Sequence, residues 1–138
     1  VQFRGTDARV DRRREIPDYD SFIEALQGHL SACSGSTVIV VASDEQAFVN
    51  TIKNSFDNVK SIDTIRHESG EKLDAKGPQG QLMPAFIEKD KQNALRGAIM
   101  DYLVICQANV LIHNLGSLSN AALLTNPNIQ SHLIGLNY

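Results

Sequence analysis

Apolar positions along this chain switch between continuous β-branched runs and a spacing of three to four, and the switches divide it into alternating strands and helices. Residues 1–4 read as a short strand. Over 17–32, Phe22, Ile23, Leu26 and Leu30 recur at helical intervals behind Pro17 and Asp18, a helix-start signal. The run TVIVVA at 37–42 has the character of a parallel strand buried on both faces. A helix follows from Ser43-Asp44-Glu45 to about Asn54, with Ala47, Phe48, Ile52 and Phe56 facing inward, and 59–62 makes a third strand. Between 93 and 106, Leu95, Ala98, Ile99, Tyr102, Leu103 and Cys106 form one apolar stripe. Met100, Val104 and Ile105 cover most of the rest, which predicts a helix buried nearly all round. Val110-Leu111-Ile112 suits a central strand. The stretch 115–124 reads as a turn and short helix broken at Asn126-Pro127-Asn128, and 131–134 as a last strand.

Strands and helices alternating at these lengths imply βαβ units. The predicted class is α/β: a Rossmann-like, three-layer domain with a mostly parallel sheet of about five strands. The segment 63–89, with Gly70, Gly77, Pro78, Gly80 and Pro84 and little periodicity, suits a functional lid or disorder. His67 lies in it and is expected to face solvent; His113 either lines a crevice or caps backbone groups. No GxGxxG follows a strand, which argues against a dinucleotide-dependent dehydrogenase.

Composition narrows the partners. With 138 residues, 42% of them hydrophobic and 21% charged, the chain supports one core and one domain. A net charge of −3 argues against nucleic acid, whose binding needs a basic surface, so any anion site must be local. No apolar run approaches the roughly 18 residues of a membrane span, and nothing resembles a signal peptide. The chain opens directly on a strand, as if cut at a domain edge. Cys33 and Cys106 read as two reduced thiols, favouring a reducing compartment such as the cytoplasm. No CxxC, HExxH or paired-histidine spacing indicates a metal, and no cofactor is expected. Asp18-Tyr19-Asp20 has the form of an Asp-x-Asp metal clamp but stands where acidic residues favour a helix N-terminus.

Candidate chemistry collects at strand ends. Asp101, set in an apolar helix, needs donors, because a buried carboxylate without them is costly or neutralises; Arg96 supplies them if the domain is a plain scaffold. Arg4 ends the first strand, where open α/β sheets place ligands. It could grip a pyrophosphate with two parallel hydrogen bonds, or pair with Asp7 at the surface. Gly116-Ser117 opens a helix whose free N–H groups and hydroxyl suit phosphate. Ser43, Asp44 and Glu45 either cap a helix or line the site. Arg9, Arg12, Arg13 and Arg14, with Asp11 and Glu15 interleaved, form a solvated loop or one that closes over a sugar phosphate.

The run NALRGAIMD at 93–101, followed by Gln107-Ala108, the strand and Gly116-Ser117, resembles the nucleotide-binding half of the α-1,6-fucosyltransferases and the related nodulation fucosyltransferases. VQFRGTD at 1–7 is similar to their motif of histidine, any residue, arginine, then aspartate three further on, with Gln2 in the histidine's place. The second strand, ending in a small residue, Ser43 and two acidic residues, is similar as well.

The resemblance implies the C-terminal Rossmann-like half of a GT-B glycosyltransferase, with the acceptor domain outside this chain. The implied reaction transfers fucose from GDP-fucose to a glycan hydroxyl, with inversion and without a metal. Gln2, Arg4, Asp44, Asp101, Gly116 and Ser117 would bind the donor; Arg4, Asp7 and Asp11 would be catalytic, Arg4 stabilising the departing diphosphate. Asp101 can accept two hydrogen bonds from adjacent N–H groups on guanine, a pattern adenine lacks. In the family a loop after the arginine motif aids deprotonation of the acceptor. The matching positions here hold Ala8 and Arg12, leaving Asp11 or Glu15 as the base. A secretory-pathway member would work in the Golgi lumen. Gln2, Ala8 and Arg12 also fit a second reading, a nucleotide-binding or interaction module without transfer activity.

Overall fold

A computed structural model of the chain describes residues 1–5, 16–67, 91–114 and 116–135. Five short strands form one sheet: β1 (Gln2–Phe3), β2 (Ile39–Ser43), β3 (Val59–Ser61), β4 (Val110–His113) and β5 (Gln130–Leu133). Their order is β3-β2-β1-β4-β5, and every neighbouring pair is parallel. The chain therefore builds outward from β1 through β2 to β3, then returns to lay β4 on the other side of β1. That reversal is the switch point at which open α/β sheets leave a crevice beyond their strand ends. The α/β, Rossmann-like architecture expected from the sequence is the one observed.

Four helices lie among the described residues: α1 (Tyr19–Ala32), α2 (Gln46–Ser55), α3 (Lys91–Ile105) and α4 (Ser117–Thr125). Asp18 is the N-cap of α1. Its Oδ1 accepts from the Ser21 amide at 2.9 Å and from the Ser21 hydroxyl at 2.6 Å, and these bonds hold the carboxyl below its usual range. The Asp-x-Asp sequence is accounted for by a helix cap. Among the described residues no group of three or more metal-ligating side chains could hold an ion, and no helix is long and apolar enough to cross a membrane.

Alternation along the strands sends side chains to two cores. Ile39, Val41 and Ile112 face α1 and α2, meeting Phe22, Leu26, Phe48, Val49 and Ile52. Ala42 and Leu111 face the other way, against Ile105 of α3, Cys106 just past its end, and Ala122 of α4. The first core centres on aromatic rings. Phe48 stacks on Phe3 with centroids 4.6 Å apart and meets Tyr19 and Phe22 edge-on, both at 5.2 Å.

Two expectations need correction. The strand expected over 37–42 begins at Ile39 and runs one residue further, with Val38 left exposed. More consequentially, α3 is not buried all round. Much of its apolar stripe points outward: Leu95 is 56% exposed, Ile99 49% and Leu103 50%, whereas Tyr102 packs on the second core and Gly97, Asp101, Ile105 and, just past the helix, Cys106 are buried. The helix is set on its small and polar side because Gly97 abuts Thr64. A Cβ at Gly97 would come within 2.8 Å of the Thr64 Cβ, so only glycine lets the helix lie this close.

Candidate functional site at the switch point

The C-terminal ends of β1 and β4 are tied together by one side chain. Asn114 follows β4 directly; its Oδ1 accepts from the Arg4 amide and its Nδ2 donates to the Arg4 carbonyl, both at 2.8 Å. This amide imitates one more rung of the ladder and fixes the direction in which Arg4 leaves the sheet. Asn114→Ala strands both backbone groups, and a loss of about 2 kcal/mol is expected in urea denaturation. A loss below about 0.5 kcal/mol would show that water replaces the amide freely.

Arg4 then reaches Ser117 at the start of α4, its Nη1 donating to Oγ at 3.3 Å. Gly116 is the N-cap of α4 without a side-chain bond, and Ser119 ties the turn by donating to the Gly116 carbonyl at 3.0 Å. On the other side of β1, Asp44 Oδ1 accepts from the Gly5 amide at 2.9 Å, and Ser43 Oγ from the Glu45 amide at 3.0 Å. Behind them Glu45 is fully buried and accepts from the Tyr19 hydroxyl at 2.5 Å. Ser43 and Asp44 thus both shape the turns and line the site, while Glu45 supports it from within.

These ends border a cavity of about 280 Å³. It is lined by Gln2, Arg4, Asp44 and Ser117 from the strand ends and the start of α4, by Ala94, Gly97, Ala98 and Asp101 of α3, and by Thr64 and His67. Five of the six expected donor-binding residues therefore share one cavity, and Gly116 adjoins it beside Gln2 and Arg4. Asp7 and Asp11, with Ala8, Arg12 and Glu15 and most of the segment 63–89, lie outside the described residues.

Two atoms of this cavity stand out. Gln2 is 4% exposed and Asp101 7%, yet Gln2 Oε1 and Asp101 Oδ1 each lack a hydrogen-bond partner. Buried acceptors are almost always paired, and leaving one bare costs about 1–3 kcal/mol. Both of these residues line the same cavity, and their two bare acceptors lie in its wall. Burial raises the Asp101 carboxyl to about 6, and the Arg66 guanidinium opposes that rise.

No family model matches the chain, and no curated protein or solved structure does so either.

Several contributors were not legible beforehand. Arg66, not Arg96, faces Asp101: Arg66 Nη1 lies 4.0 Å from Oδ2, while Arg96 is exposed. His67, expected in solvent, is 9% exposed and sits at the cavity wall, because its backbone bonds Asp44 and Gln46 on either side of Glu45. His113 does not line the cavity. It is buried, bonded through Nε2 to Ser131 Oγ at 2.9 Å and through Nδ1 to the Asn114 carbonyl at 3.2 Å, and burial lowers its pKa.

Proposed function

We propose that this cavity binds the GDP moiety of a nucleotide sugar, and that the domain is the donor half of a metal-independent, inverting glycosyltransferase that uses GDP-fucose. The observation that carries the reading is the pair of buried, unpartnered acceptors, Gln2 Oε1 and Asp101 Oδ1, in one cavity that also carries Arg4 and the start of α4.

A carboxylate that keeps one oxygen free suits the N1–H and exocyclic N–H of guanine, which lie side by side. Adenine presents an acceptor where guanine has N1–H, and uracil offers only one N–H on that edge. In the same cavity, Arg4 and the α4 N-terminus suit a diphosphate: one supplies a forked cation, the other backbone N–H groups and a hydroxyl. In the transfer step negative charge grows on the leaving diphosphate, and a guanidinium already held in place stabilises it without reorganising. The acceptor glycan and its general base would come largely from a second domain and from the segment that includes Asp11 and Glu15.

The test is calorimetric titration of GDP, ADP and UDP into the domain. GDP is expected to bind at least about 10-fold more tightly than either other nucleotide, as a lost pair of base contacts is worth about 1–3 kcal/mol. Equal binding of all three, or of none, would remove the guanine assignment. Slow hydrolysis of GDP-fucose would then separate a transferase from a module that only binds.

A further inference from the structure

Arg66 follows β3 in a stretch without periodicity, and its side chain is 4% exposed. Nη1 donates to the Ser43 carbonyl, at the end of β2, and Nη2 to the Ile62 carbonyl, just past β3, at 2.7 Å. Two carbonyls from neighbouring strands thus fix the plane of the guanidinium. The same Nη1 stands 4.0 Å from Asp101 Oδ2 on α3. That separation is too long for a hydrogen bond but short enough for one charge to govern another in a buried setting. Asp44 and Asp63 also act on the guanidinium and favour its charged form against the cost of burial.

We propose that Arg66 is the positioning residue of the base subsite: a fixed cation, anchored to the sheet, that orients the Asp101 carboxylate through Oδ2 and leaves Oδ1, in the cavity wall, without a protein partner. The inference deepens the GDP reading and rests on it. Arg66 does not touch the base; it acts through Asp101. A lysine would keep the charge, but its ammonium cannot span two carbonyls in one plane, so it would hold the carboxylate less well.

Without Arg66, burial of Asp101 is unopposed. The other polar groups with ionisable side chains on the cavity wall, Arg4, Asp44 and His67, lie on the β1, β2 and post-β3 segments; the charge acting on Asp101 is that of Arg66. The carboxyl then holds its proton to higher pH, and a guanine must compete with that proton.

Two readouts on the full chain test this, in the wild type, Arg66→Lys and Arg66→Gln: the titration of the Asp101 carboxyl carbon by NMR, and GDP affinity by calorimetry at pH 6 and 8.5. The wild-type midpoint is expected at about 6. It should rise by about one unit in the glutamine variant and by less in the lysine variant. GDP affinity should fall about 5-fold at pH 6 in Arg66→Gln, as the ionised fraction of Asp101 drops from about one half to about one eleventh, and largely return at pH 8.5. An affinity loss equal at both pH values, with the midpoint unmoved, would mean a merely structural arginine and overturn the inference. Should Arg66→Gln fail to fold, the lysine variant decides on the same criteria. If the wild type binds no GDP, the guanine reading falls and takes the base subsite with it. If it binds GDP and the midpoint ignores Arg66, only the role of Arg66 falls.

Discussion

Asp101→Asn is expected to weaken GDP binding by about 100-fold and, at the same time, to stabilise the domain at alkaline pH. The binding loss follows from chemistry: an amide cannot accept two hydrogen bonds on both heavy atoms, and its NH₂ would face the guanine donors. The stability gain follows from linkage. In the folded protein burial pushes the carboxyl up to about 6, from 3.8 in the unfolded chain. Between those values the folded state binds more protons than the unfolded one, so wild-type stability falls as pH rises through about 6. The shift corresponds to about 3 kcal/mol, an upper figure because it leaves out any rearrangement around Arg66 in the variant. Asparagine never ionises and escapes that cost. The stability difference between the two proteins should therefore grow from pH 4 to pH 8. His113, whose lowered pKa works in the opposite direction, is present in both and cancels. Urea denaturation at the two pH values measures the difference; a gap that stays constant with pH would mean that Asp101 is not a strained carboxylate.

Phe48→Ala is the second large effect, expected to cost about 3–5 kcal/mol in urea denaturation. Its ring is fully buried and touches three others, Phe3, Tyr19 and Phe22. A domain of this size has roughly 5–15 kcal/mol in all, so the variant should be near the edge of folding. Phe48→Leu, which keeps most of the volume, should lose less than half as much. Because Phe3 lies between Gln2 and Arg4, whatever folded alanine variant remains should also bind GDP more weakly. A loss below about 1 kcal/mol would show that the aromatic cluster repacks around the gap.

The contrast between these residues shows what could be read from the chain. Phe22, Phe48 and the β-branched run at β2 report their surroundings through spacing alone, since burial on a helix or strand repeats with a fixed period. Arg4, Ser117 and Asp101 could be placed because each sits at an element end or breaks an apolar pattern. The orientation of α3 could not. Periodicity identifies which side of a helix is apolar, but Gly97 against Thr64 decides which side lies down, and that contact joins residues from two unrelated parts of the sequence. Arg66 and Asn114 were invisible for the same reason: each acts on backbone groups far away in the chain, and neither disturbs any local pattern.

The bond pair between Asn114 and Arg4 spans 110 positions of sequence. Such a contact forms only after a very long loop has closed, and closing it costs entropy before the contact returns anything. The central strand of the sheet thus takes one of its two partners, β4, from the last but one of the strands in chain order. A chain that held only β1 to β3 would have Arg4 and Asp44 but neither Asp101 nor Ser117 in place. A ligand that bridges the two pairs can recognise only the finished domain.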